Sequence, residues 1–145
     1  MPDYVLDASV VAFANGNLAA RRRGNVFDRR LRVIEQVVAG NRRLRYNQKL
    51  LGEYQRLIRV FRNDAIELLF GVLDSQHSVL VARNSLSRQH HDTATKRCRW
   101  PSHDQHLLAA ALGGVEPSIF VTEAHLANCA PRIFAHFAIR VCQLA

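Results

Sequence analysis

Residues 102–122 read SHDQHLLAAALGGVEPSIFVT, and this stretch decides the fold. Leu107, Leu108, Ala111 and Leu112 recur at the spacing of one helical face, and Gly113-Gly114 marks where that helix stops. Ser118 to Thr122 then forms a continuously apolar run, the pattern of a parallel strand buried on both sides. A helix feeding such a strand is half of an α/β unit. One residue disturbs it. At helical periodicity Asp104 projects along nearly the same direction as Leu108 and Ala111, so a carboxylate stands on a stripe that is otherwise apolar. An isolated buried charge is costly unless it is paired or neutralised. With Ser102 as N-cap, the free N–H groups of the first turn offer one remedy. A metal ion offers another.

Working outward, Tyr4-Val5-Leu6 is a short apolar run ending in Asp7, followed by Ala8-Ser9-Val10-Val11: a buried strand entering a helix. Asn15-Gly16-Asn17 breaks that helix, and residues 21–24 read as an exposed arginine-rich loop. A helix is expected from Asn25 to Val38, with Phe27, Leu31, Ile34 and Val38 on one face and Gly40-Asn41 at its end. Leu44 to Tyr46 is a second strand. The helix from Lys49 carries Leu50, Tyr54, Leu57, Ile58 and Phe61 inward, and Asn63-Asp64 caps the next one, Ala65 to Leu73. Ser78 to Val81 is a third strand, and a fifth lies within His136 to Cys142. Residues 83–101 are polar and aperiodic and predict no element. Strands alternating with helices predict an α/β fold, a parallel sheet covered on both faces. The chain's 145 residues predict one domain over 1–145.

Composition narrows the function. Hydrophobic residues make up 48% and charged ones 22%, an ordinary globular profile. No apolar run approaches membrane-span length, and MPDYVLDASVV lacks the basic start of a signal peptide. The three cysteines, Cys98, Cys129 and Cys142, are odd in number and widely spaced, which suits free thiols in the cytoplasm. Twenty basic residues against twelve acids give +8, and eighteen of the twenty are arginine. They cluster at Arg21-Arg22-Arg23, at Arg29, Arg30 and Arg32, and at Arg42, Arg43 and Arg45. Guanidinium forks grip phosphate oxygens in pairs, so a polyanion is the first partner to consider, nucleic acid above all.

Open parallel sheets gather functional groups beyond the carboxyl ends of their strands. Asp7 ends strand one, Thr122 and Glu123 end strand four, Asp104 heads the helix feeding strand four, and Glu53 lies in the first turns of its helix. Carboxylates forced together repel, and a hard divalent cation resolves the repulsion. Singly, each has a plain reading: Asp7 and Ser9 capping a helix, Glu53 pairing with Lys49 or Arg56 in solvent.

Taken together and in order, VLDASV (5–10), the acid of KLLGEYQRL (49–57), DQHLLAAAL (104–112) and SIFVTEAHL (118–126) resemble the PIN domain. That family comprises small metal-dependent ribonucleases, including the VapC-type toxins of toxin–antitoxin pairs. The resemblance covers residues 4–143. It implies a three-layer α/β/α sandwich with a five-stranded parallel sheet in order 3-2-1-4-5. It also implies a pocket holding Mg²⁺ or Mn²⁺, RNA as substrate, a homodimer and an antitoxin partner. Asp7, Glu53 and Asp104 match the family's core acids, Ser9 its small hydroxyl residue and Thr122 its strand-end threonine. The fourth acid usually stands two residues after that threonine, where this chain has Ala124. Glu123, one place early, either substitutes through its longer side chain or points away.

On this reading the chain hydrolyses RNA, with Asp7, Glu53 and Asp104 on the ion, Glu123 assisting, and Ser9, Thr122, Arg21, Arg22 and Arg23 meeting substrate. One rival is a PIN-fold module that binds RNA without cutting it, because of Ala124. Another is a receiver-like interaction domain. A zinc site from His90, His91, Cys98, His103 and His106 is a further alternative, although their spacing fits no standard finger, and His103 and His106 are expected off the apolar face. Trp100, between Arg97 and Arg99, is expected either to stack on a base or to anchor a loop.

Overall fold

The computed structural model describes residues 2–13, 25–60 and 64–144, and of residues 13, 25–31, 58–60 and 64–65 the main chain alone. Several expectations therefore lie outside the described residues: the break at Asn15-Gly16-Asn17, the loop with Arg21, Arg22 and Arg23, Phe61 and the Asn63 cap. So do the expected inward side chains of Phe27, Leu31 and Ile58.

The chain alternates as foreseen. Strand β1 (Asp3–Leu6) leads into α1 (Ala8–Phe13); α2 (Asn25–Val38) precedes β2 (Arg43–Tyr46). Helices α3 (Gln48–Val60) and α4 (Asp64–Leu73) then lead to β3 (Ser78–Leu80). After α5 (Arg88–Asp92) come α6 (Gln105–Ala111), β4 (Ser118–Val121), α7 (Ala124–Ala127), α8 (Ala130–Phe137) and β5 (Arg140–Gln143). The five strands form one sheet in order β3-β2-β1-β4-β5, and every pairing is parallel. Neighbouring side chains on β1 and β4 (Val5 and Leu6, Ile119 and Phe120) are all buried, so both faces of the central strands are covered, as a sandwich requires. No helix among the described residues is long and apolar enough to cross a membrane.

Four local expectations change. Ser102–Asp104 is a 3₁₀ turn whose N-cap is Pro101, so Ser102 caps nothing and α6 begins one residue after Asp104. Every residue of α6 is buried; it packs on β1, β2 and β4 and presents no single apolar stripe. The fifth strand is only Arg140–Gln143, because His136 and Phe137 end α8, which Ala138 turns off in the left-handed conformation at φ 56°. The unassigned 83–101 segment holds α5, capped by Ser87, continuing as a π-helical turn over Thr93–Arg97. Its buried side chains, Leu86, Ala94, Cys98 and Trp100, are too irregularly spaced for a simple period.

Part of the arginine surplus is structural. At the amino end of β1, the fully buried Asp3 accepts from Arg43 Nε at 2.9 Å and from the Val115 amide at 2.8 Å, with Arg45 Nη1 3.7 Å away. Arg45 in turn donates to the Ala110 and Leu112 carbonyls, and Arg83 to Leu112, so two guanidiniums close the negative end of α6. Arg43 and Arg45 are thus engaged inside the fold. Gly113 ends α6 at φ +86°, and a Cβ on Gly114 would lie 2.9 Å from Arg45 Cδ and 3.0 Å from Asp3 Oδ2.

Removing Asp3 leaves Arg45 desolvated without its counter-charge, so Asp3→Ala should cost about 3–5 kcal/mol in urea unfolding. Gly114→Ala should destabilise through the same contact, while Arg42→Ala should change little. Equal midpoints for Asp3→Ala and the parent would contradict this account of the sheet's amino edge.

Candidate metal centre

The order β3-β2-β1-β4-β5 puts the topological switch between β1 and β4, where ligands bind beyond the carboxyl ends. The Asp7 amide donates to the Phe120 carbonyl at 3.0 Å, which places Asp7 where these two strands part. Ser9 donates to Asp7 Oδ2 at 2.6 Å and Thr122 donates to Ser9 at 2.8 Å. These hydroxyls form a relay that fixes the Asp7 carboxylate. Beneath it, the buried Tyr54 hydroxyl donates to the Leu6 carbonyl and pins the main chain one residue earlier. Burial first, then the charges of Asp7 and Glu53, hold the Tyr54 phenol far above its ordinary range, so it stays a donor.

Glu53 precedes Tyr54 on α3. Its Oε2 lies 3.1 Å from Nε2 of His106, whose side chain is 1% exposed. The expected outward direction of His106 is therefore wrong: a helix buried all round has no polar side, and the imidazole turns to the carboxylate. The Lys49 or Arg56 pairing expected for Glu53 is replaced by this contact. Asn47 secures it from behind. Fully buried, it accepts from the Leu50 amide as the N-cap of α3 and donates to the His106 carbonyl at 2.9 Å. One amide side chain thus ties together the two helices that carry Glu53 and His106.

Asp104 is in the N-cap position of α6 but makes no side-chain capping bond. Trp100 donates from Nε1 to its carbonyl at 2.9 Å and is itself buried, which makes Trp100 a loop anchor. Oδ2 of Asp104 is buried without a hydrogen-bond partner, although His103 Nε2 stands 3.2 Å away. The helix-end remedy for this carboxylate fails. Glu123 heads α7, and its Oε2 is 3.2 Å from His125 Nε2.

The four acids share one electrostatic neighbourhood. Burial pushes the Asp7 carboxyl above the usual carboxylate range, the Ser9 hydrogen bond pulls it back, and Glu53, Asp104 and Glu123 each raise it further. Burial also raises Asp104; His103 lowers it, and Glu123 raises it again. Among the described residues, the ligand atoms of Asp104, Glu123 and His125 all lie within 4.8 Å of one another, and no such set includes Asp7 or Glu53. Asp7 is held by Ser9 and Glu53 by His106, so each is steadied locally. The histidine–cysteine alternative is not assembled: His91 meets Gln105, His90 packs on Phe137, and Cys98 is buried.

The roles of three residues were not fully legible in the sequence. Asn47 directly before a helix was a readable N-cap. His106 lies two residues from Asp104, and His125 two from Glu123, but their direction depends on packing that periodicity does not carry. Set against family models, curated proteins and solved structures, the chain matches none.

A carboxyl raised by burial disfavours its charged form in the fold. The penalty is complete above the raised folded value and vanishes below the ordinary one. Metal-free Asp104→Asn should therefore melt higher than the parent at neutral pH, by about 2–4 °C for each kcal/mol relieved. That gain should shrink as pH falls through the raised range toward 3.8. A lower melting point in chelator at neutral pH would contradict it.

Proposed function

We propose that this chain is a PIN-like endoribonuclease dependent on Mg²⁺ or Mn²⁺. The observation that supports the reading most is the convergence of Asp7, Glu53, Asp104 and Glu123 on the carboxyl edge of β1 and β4, at the switch point of a 3-2-1-4-5 sheet. The donors fit such an ion. They are carboxylate oxygens, and one of them, Asp104 Oδ2, is buried without a hydrogen bond. Asp7, Glu53 and Asp104 would hold it, with Glu123 assisting from the fourth position. A divalent ion there supplies Lewis acidity toward a phosphodiester.

The chain's own residues do the rest. Ser9 and Thr122 orient Asp7, Asn47 and His106 orient Glu53, and Trp100 fixes the main chain at Asp104. Arg21, Arg22 and Arg23 would grip substrate phosphates, since an acidic centre alone repels a polyanion. A homodimer, an antitoxin partner and a cytoplasmic location belong to the same reading.

The test is cleavage of a panel of single-stranded RNAs. The parent should cut in Mn²⁺ and stop in chelator, and Asp104→Asn should lose roughly 100-fold or more. RNA binding without cleavage would favour the binding module instead. Full cleavage by Asp104→Asn would end the metal-nuclease reading. Replacing Arg21, Arg22 and Arg23 together should flatten the slope of log affinity against log salt by up to about 2, at ~0.7 per phosphate contact.

A further inference from the structure

We infer that Asp104, Glu123 and His125 form a mixed carboxylate–imidazole site for a first-row transition ion such as Mn²⁺ or Zn²⁺, in preference to Mg²⁺. The inference rests on the metal-nuclease reading and names the class of ion that its outer half takes.

Two separate parts of the chain build the site: the turn before α6 supplies Asp104, and the start of α7 supplies Glu123 and His125. Their ligand atoms all lie within 4.8 Å, and His125 Nε2 is 3.2 Å from Glu123 Oε2. Neighbouring ligands bonded at about 2.1 Å stand ~3.0–3.4 Å apart around an octahedral or tetrahedral ion, and opposite ones ~4.2 Å. The Glu123–His125 separation matches neighbouring ligands, and small side-chain shifts bring all three atoms into one coordination sphere.

Two further observations favour a ligand over a plain surface ion pair. Asp104 Oδ2 is buried and makes no hydrogen bond, and its near neighbour is the exposed His103, with Nε2 3.2 Å away. The carbonyl of the same residue is held by the buried Trp100, so the carboxylate's main chain is fixed in place. Glu123 and His125, by contrast, have side chains 51% and 56% exposed, and an exposed pair of that kind adds little stability by itself. Against the anchored carboxylate, their exposure leaves the site open to solvent ions.

The donor set selects the ion. Imidazole nitrogen suits zinc and other transition ions, whereas Mg²⁺ takes oxygen and gives up water reluctantly. Ala124, between Glu123 and His125, offers no side-chain ligand, and the imidazole of His125 stands in the cluster beside Glu123.

Calorimetric titration of the full chain with Mn²⁺, Zn²⁺ and Mg²⁺ separately tests this, in the parent, His125→Ala and Glu123→Gln. Both substitutions fall on half-exposed side chains, so folding is preserved. His125→Ala should weaken Mn²⁺ and Zn²⁺ by about 10–100-fold while leaving Mg²⁺ within experimental error, and Glu123→Gln should weaken all three. Mn²⁺ should also broaden the His125 ring resonances at low occupancy. Parent-like Mn²⁺ and Zn²⁺ affinity in His125→Ala, or equal losses for all three ions, would overturn the site. RNA cleavage measured alongside separates the two claims. Transition-ion binding lost with His125 in a protein that cuts no RNA upholds the site and removes the nuclease. Cleavage retained, with ion preference unchanged by His125→Ala, removes the site and keeps the nuclease.

Discussion

A parallel sheet whose strand order reverses between β1 and β4 leaves a crevice at its carboxyl edge, and this chain fills the rim of that crevice with negative charge. Like charges at such a rim repel, and burial raises the cost. Asp7 and Asp104 both carry that signature, since burial is the largest influence lifting each carboxyl. The apolar interior bears the cost. Leu107 and Leu108 on α6 are fully buried, and each such side chain contributes about 1.5–3 kcal/mol, enough to hold the neighbouring Asp104 where solvent would otherwise draw it out.

The supports divide into two groups at opposite edges of the sheet. At the amino edge, Asp3, Arg43, Arg45 and Arg83 form a satisfied ionic cluster that closes the end of α6. At the carboxyl edge, the supports leave acids partly unsatisfied: Ser9 for Asp7, His106 for Glu53, and nothing hydrogen-bonded to Asp104 Oδ2. The contrast between a closed ionic network and an open one separates an architectural cluster from a candidate binding site in a single molecule.

Much of this was legible in the residues themselves. The continuous apolar run at Ser118–Thr122 announced a central parallel strand, and Tyr4-Val5-Leu6 ending in Asp7 placed an acid at a strand's carboxyl end. Both readings rest on local pattern, which the sheet preserves. Patterns failed where tertiary packing decides direction. His106 belongs to a helix buried on every side, so no amphipathic rule orients it. The 83–101 segment is held by a π turn and a few scattered buried side chains, which have no period to read. Arg43 and Arg45 looked like part of a phosphate-binding cluster because charge alone does not reveal a buried partner such as Asp3.

The central claim is that the acids of the carboxyl edge constitute an ion-binding centre rather than an accident of surface charge. Anomalous diffraction from a crystal of the full chain soaked in Mn²⁺ tests it most directly. The account predicts a manganese peak in contact with the Asp104 carboxylate, at the β1–β4 edge of the sheet. A fully soaked crystal whose only peaks lie elsewhere, with Asp104 untouched, would contradict it.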